Sequence, residues 1–336
     1  MLHRGLGFVI ICFLLGCQEG SKEIHLAGEA LGTTYSVKVF HDEELPYYEA
    51  LDSIFERVNQ SMSTYRSDSD ISRINRGDSL IRVDSLFREV LRLSRQVFLQ
   101  SNGYFDPTVG NLVNQYGFGP RGDVTPPDAR VVDSLMRYVG LEKVSLDTSG
   151  KVKFEISGMY LDFNAIAKGY TVDLIGRYLD QHDVRHYLVE VGGELLAKGE
   201  NLDKGSPWIV GIDSPDQSGS QRTLTAAVTL TDRAMATSGN YRKNRFDPET
   251  GETYVHTINP LTGHAERSDL LSATVLAENC ALADAYATAF MAMGYEKSRA
   301  LLDRLEDIDA FLIYSSSEEK IRQYMTAGFK EIYLEL

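Results

Sequence analysis

The chain has 336 residues, 43% hydrophobic and 24% charged, enough for one large globular domain or two small ones. With 34 Lys and Arg against 48 Asp and Glu its formal net charge is -14, and so acidic a surface repels a phosphate backbone, which argues against nucleic acid as a partner. A smaller ligand that carries phosphates then needs a local remedy: a bound cation, a lysine or backbone amides.

His3 and Arg4 form a short polar start, and Gly5 to Leu15 is an apolar run too short to span a bilayer as a mature helix. The run ends in Leu14-Leu15-Gly16-Cys17 and then turns polar, which is the pattern of a bacterial lipobox. Cleavage before Cys17 would remove residues 1–16 as a signal peptide and leave a cysteine able to carry acyl chains. The protein would then be anchored to a bacterial membrane by lipid, facing the periplasm or the outside of the cytoplasm. An ordinary signal peptide with a chance cysteine is the plainer alternative. Residues 17–28 read as the lipidated tether and 29–336 as the folded domain. Of three cysteines, Cys12 lies in the signal and Cys17 at the lipid site. Only Cys280 remains in the body, so no intramolecular disulfide framework exists.

From Glu29 to Phe40 the alternation favours a strand. Leu51, Ile54, Phe55, Val58 and Met62 recur at helical spacing, which predicts an amphipathic helix over 47–62. A polar loop follows at 63–70. A second helix is expected from about Ser85 to Ser101, with Leu86, Val90, Leu93, Val97 and Phe98 on its apolar face. Residues 103–129, rich in Gly, Pro and Asn, read as a long loop, and long ordered loops are often functional. Strand signals recur at 152–156, 186–191, 195–199, 208–213, 223–230 and 271–277. Helices are expected over 165–180 and 279–293, the second capped by Asn279. The last forty residues read as helix, strand, strand, strand. This order is no regular alternation of strand and helix, and it points to an α+β fold.

Candidate chemistry is sparse and each signal has a plain alternative. Gly117-Phe118-Gly119-Pro120-Arg121-Gly122 matches a dinucleotide fingerprint literally, but no strand leads into it and Pro126-Pro127 follow where a helix should open, so it is rejected. Asp284 and Thr288 stand four apart, on one face of the expected helix, among alanines. Such hard oxygen donors suit magnesium; a solvated polar face, or a buried aspartate bonded to the threonine, accounts for them as well. Asp162 to Gly169 sits where a strand should meet a helix, so its amides and Lys168 could hold an anion. Gly192-Gly193 either lets backbone approach a flat ligand or makes a simple tight turn. His256 alternates along an expected strand beside a turn, where a neutral imidazole could take a proton, though a lone histidine is more often structural. The other histidines have no zinc-site spacing.

Taken in order, these stretches resemble the ApbE family, the FAD:protein FMN transferases, over nearly the whole mature chain. The resemblance runs through Gly28-Glu29-Ala30-Leu31-Gly32-Thr33-Thr34-Tyr35, Met62-Ser63-Thr64-Tyr65 with Ser69-Asp70-Ile71-Ser72, and Gly103-Tyr104-Phe105-Asp106-Pro107-Thr108. It continues in Asp162-Phe163-Asn164-Ala165-Ile166-Ala167-Lys168-Gly169, Val191-Gly192-Gly193-Glu194 and Ala236-Thr237-Ser238-Gly239-Asn240-Tyr241. It closes with His256-Thr257-Ile258-Asn259-Pro260-Leu261-Thr262-Gly263 and Ala283 to Ala289.

The resemblance implies a two-lobed α+β fold with FAD in a cleft between the lobes. It implies magnesium held by Asp284, Thr288 and the carbonyl of Ala165, and FAD contacted by Leu31, Tyr65, Phe105, Asp106, Pro107, Asp162, Lys168 and Ile258. The expected reaction moves FMN from FAD to a threonine or serine hydroxyl of a target protein and releases AMP, with His256 or a carboxylate near the metal as base. The target expected from the family is a subunit of a membrane redox complex. Hydrolysis of FAD to FMN and AMP, flavin binding without chemistry, and generic solute binding are the competing readings. Leu31 and Glu194 stand where many members carry methionine and aspartate, which keeps the chemical type. Asn259 replaces a frequent aspartate, which weakens the case for an acid orienting His256.

Overall fold

The structure, a computed structural model, describes residues 22–120, 122, 126–215, 223–239, 244–246, 253–265, 268–316, 318 and 320–335. The lipobox with Cys17, and Asn240-Tyr241 of one motif, lie outside the described residues. Among the described residues no helix is long and apolar enough to cross a membrane.

The chain opens with a hairpin, β1 (Glu23–Ala30) and β2 (Thr33–Phe40). Ala30 pairs with Thr33, so Leu31 and Gly32 alone make the turn, at φ +53° and +72°. Two consecutive left-handed residues match the twist of the flanking strands. Six of the residues read as tether, Glu23 to Gly28, therefore belong to the sheet. Helices α1 (Tyr47–Met62), α2 (Asp70–Asn75), α3 (Ser85–Gln100), α4 (Gly110–Gln115) and α5 (Ala129–Met136) follow. The loops expected at 63–70 and 103–129 thus lead into or contain short helices. Next come β3 (Val144–Leu146), β4 (Val152–Phe154), α6 (Ala167–Gln181), β5 (His186–Val191) and β6 (Glu194–Lys198). After them lie β7 (Trp208–Asp213), β8 (Leu224–Leu230), β9 (Arg233–Gly239), β10 (Asn244–Phe246), β11 (Thr253–Val255) and β12 (Leu270–Ala277). The chain ends with α7 (Cys280–Met293), α8 (Tyr295–Leu302), β13 (Asp309–Ser315), β14 (Ile321–Met325), α9 (Ala327–Ile332) and β15 (Tyr333–Leu334). A one-and-a-half-turn helix thus interrupts the run of strands expected at the C-terminus.

Eight strands form one antiparallel sheet in the order β1-β2-β5-β6-β9-β12-β13-β14. On one face lie α1, α3, α6 and α7, which bury the apolar stripes read from the sequence. Helix α7 is buried nearly all round, as expected of a helix that is mostly alanine and other apolar residues. A small second sheet, β15-β8-β7, covers the other face through Trp208, Val228, Met235 and Phe311. Segregated helices on a mostly antiparallel sheet make this an α+β fold. The Glu89 carboxylate ties α3 to α6, accepting from Arg177 at 2.7 and 2.9 Å and from the Tyr170 hydroxyl at 2.7 Å.

Candidate active site

A cleft of about 870 Å³ opens where the helix layer meets the β1–β2 turn and the loops after α1, α3 and β4. That is the upper part of the range for small-molecule sites. All twelve site residues expected within the described chain line it, from Leu31 on the first turn to Asp284 and Thr288 on α7. They come from segments more than two hundred residues apart, so the fold, not local sequence, assembles them.

The floor is a reciprocal contact between α6 and α7. Asp284, 4% exposed, accepts a hydrogen bond from the Gly169 amide in the first turn of α6 at 3.2 Å. Asp173, one turn further along α6, accepts from Cys280 N at 2.7 Å and Ala281 N at 2.9 Å, the first amides of α7. Each helix thus places a carboxylate on the other's N-terminal amides, where the helix dipole favours negative charge. Asn279 caps α7 as expected, accepting from Leu282 N at 3.0 Å. Gly169 permits the approach: a Cβ there would lie 2.3 Å from the Cys280 carbonyl oxygen and 2.9 Å from the Asp284 Cβ. Burial pushes the Asp173 carboxyl up to about 7 against the pull of its two amide donors. The buried Cys280 thiol is also raised well above its ordinary value, so it is no ready nucleophile.

The walls are two interlocked loops. Asp106 accepts from Thr108 N at 2.8 Å, Thr108 Oγ1 at 2.6 Å and Leu141 N at 3.1 Å. Its carboxylate therefore braces the Phe105-Asp106-Pro107 loop, and burial raises its carboxyl to about 6. Asp162 N donates to the Pro107 carbonyl at 2.7 Å, joining this loop to the next. The Asp162 carboxylate accepts from Asn164 N at 2.8 Å, and burial raises it too, to about 6. Asn75 clamps the same loop from α2, its amide bonding both Leu161 N and Leu161 O at 2.8 Å. The strand expected ahead of Asp162 is reduced to one isolated bridge, Val109 to Tyr160.

Lys168 forms an ion pair with Glu194, whose carboxylate is nearly fully buried. The Gly192-Gly193 turn holds φ of +62° and +97°. A Cβ at Gly192 would meet Thr33 Cγ2 at 2.8 Å, so the two turns at the cleft pack against each other. His256 lies just past β11 rather than within a strand, its ring edge-on to Phe118 at 6.5 Å between centroids. Asn259 Oδ1 accepts from Leu261 N at 3.0 Å and holds the turn that follows. Tyr65 lines the cleft yet is 60% exposed, at its rim. The sequence reading missed Asp173 altogether. Its signal was an acid on the face of α6 that also carries Gly169 and Gly176, where apolar or small residues belong.

Among the described residues no three or more His, Cys, Asp or Glu side chains gather to hold a metal. Asp284, Thr288 and Ala165 all line the cleft, and the two side chains and the Ala165 carbonyl offer hard oxygens. A partial set of this kind fits magnesium, which keeps open positions for phosphate oxygens.

Residues 31–312 match the model of the ApbE family. A protein of Vibrio cholerae serotype O1 named FAD:protein FMN transferase is 35% identical over 95% of this chain and 96% of its own. One of the same name from Haemophilus influenzae is 33% identical over 95% and 94%. Among solved structures, the flavin transferase ApbE from Vibrio cholerae superposes with a TM-score of 0.82 at 31% identity, covering 93% of this chain and 99% of that one. The apo flavinyl transferase ApbE of Pseudomonas stutzeri gives 0.82 and 31% over 94% and 98%. With the family model spanning most of its length and relatives of this identity end to end, the chain belongs to the ApbE family.

Proposed function

We propose that this enzyme, a flavin transferase that moves FMN from FAD to another protein, works with magnesium and delivers the FMN to a threonine or serine hydroxyl with release of AMP. The observation that carries the reading is the convergence in one cleft of Asp284, Thr288, the first turn of α6 and His256. Asp284, Thr288 and the Ala165 carbonyl would hold the cation. When bound, it neutralises charge that develops on the pyrophosphate oxygens.

The protein's own groups do the rest. The Phe105–Pro107 and Asp162–Ala165 loops, braced by Asp106 and Asn75, keep the cleft open to a dinucleotide. Lys168 sits beside the α6 amides, and its charge offsets the acidity of the site. The acceptor hydroxyl oxygen bonds to the phosphorus nearest the riboflavin, the bond to the AMP oxygen breaks, and AMP leaves with the electron pair. His256 takes the hydroxyl proton on its imidazole. The expected acceptor is a subunit of a membrane redox complex, met at a membrane to which acylated Cys17 anchors the enzyme. Leu14 to Cys17 supports that anchor, and Cys17→Ser should move the protein from the membrane fraction to the soluble one.

The test is AMP release from FAD, followed by chromatography in the presence of an acceptor protein. Release should stop on chelation of divalent cations and in Asp284→Ala. Full turnover of that variant without magnesium would remove the metal assignment, and AMP release that ignores the acceptor would make the enzyme a hydrolase.

A further inference from the structure

We infer that Asp173 is a positioning residue for the cation-binding carboxylate, fixing Asp284 through the N-terminus of α7. The inference rests on the reading of Asp284 as a magnesium ligand. Asp173 lies on α6 and bonds the first two amides of α7, at 2.7 and 2.9 Å. Asp284 stands one turn beyond those amides and bonds back to Gly169 of α6 at 3.2 Å. The two contacts enclose one turn of each helix, from Gly169 to Asp173 and from Cys280 to Asp284, in opposite directions. A helix pair held at both ends of one turn can neither slide nor rotate without lengthening a bond.

The glycine at 169 brings the backbones so close that the Cys280 carbonyl occupies the space next to it. Neither side chain has slack, because Asp173 is 5% and Asp284 4% exposed. A carboxylate that must present one oxygen to a cation while the other accepts an amide needs its helix phase fixed to a few tenths of an ångström. Asp173 supplies that phase from the helix opposite. Asn279 also caps α7, bonding Leu282 N at 3.0 Å, but it belongs to the same chain segment and gives no register against α6. The two caps therefore separate positioning from simple stabilisation of α7.

The experiment measures Mn²⁺ binding to the full-length protein with FAD, from the free-ion electron paramagnetic resonance signal, well below each variant's melting temperature. Asp173→Asn keeps one acceptor and turns an amide donor towards a backbone N–H. It should weaken Mn²⁺ more than tenfold, whereas Asn279→Ala should change it less than threefold even where it lowers the melting temperature as much. Asp173→Ser, which retains one acceptor, serves if the asparagine variant does not fold, with the same expectation. Equal weakening by the two cap variants, or wild-type Mn²⁺ affinity in Asp173→Asn, would overturn the assignment while Asp284→Ala still abolishes binding. Wild-type Mn²⁺ affinity in Asp284→Ala would instead overturn the metal reading itself and the inference with it.

Discussion

Gly169→Ala should cost both stability and transfer, although alanine is the better helix former. The new Cβ would stand 2.3 Å from the Cys280 carbonyl oxygen and 2.7 Å from its carbon, against ordinary contact from 3.4 Å. The obstacle is backbone, which cannot swing aside, so α6 and α7 must separate by roughly 1 Å. Overpacking of that kind costs about 1–3 kcal/mol. The Gly169 N to Asp284 bond, already 3.2 Å, would be lost, and a bond to a charged group is worth about 1.5–3 kcal/mol. Helix propensity returns at most about 1 kcal/mol. The net loss is about 2–4 kcal/mol, a fall in melting temperature on the order of 5 °C for a chain of this size. Because Asp284 moves with α7, transfer should fall roughly 100-fold, the usual penalty for misplacing a reacting group by 1 Å. Gly176→Ala is the control. Its Cβ would meet Leu196 Cδ2 at 2.5 Å, the end of a flexible side chain, so it should leave transfer within about threefold of wild type. Thermal unfolding by circular dichroism and single-turnover transfer on both variants decide the matter. A Gly169→Ala protein that melts at or above wild type with full transfer would refute the close-packed helix pair.

Other expectations follow from the same geometry. His256→Asn should lower turnover about 100-fold or more with FAD affinity retained, measured by flavin fluorescence beside single-turnover rates; wild-type turnover would take the histidine out of the mechanism. Asp106→Ala removes the acceptor of three bonds and should destabilise the cleft loop by about 2–4 kcal/mol and weaken FAD binding; unchanged urea unfolding would contradict its bracing role. Asp162 has its folded pKa raised to about 6, so its contribution to stability is fully present below about pH 4 and is lost as pH rises through 6. The ligand-free wild type should therefore lose about 3 kcal/mol relative to Asp162→Asn between pH 3 and pH 7, read as the difference of their urea midpoints; parallel pH profiles would show that the carboxyl is not desolvated.

Much of this was legible in the sequence because local periodicity and local capping sufficed. The helix 47–62 and the strand 208–213 fall where their apolar spacing put them, and Asn279 caps α7 as read. The cleft residues were reached through the order of family motifs, since nothing local joins Leu31 to Asp284. What was missed has physical causes. Strand β1 looked like tether because an edge strand needs little apolar alternation, its order coming from pairing with β2. Helices α2 and α4 are six residues each and too short to show a period. Asp173 escaped because its partners are amides 107 and 108 residues away, and no spacing rule reports a cap supplied across helices.

The most direct measurement of the central claim is intact mass spectrometry of an acceptor protein incubated with the full-length chain, FAD and magnesium. An FMN-sized mass gain on the acceptor, lost when magnesium is chelated and moved by substitution of one acceptor threonine or serine, is the predicted result. An acceptor of unchanged mass while FAD is converted to free FMN and AMP would contradict transfer.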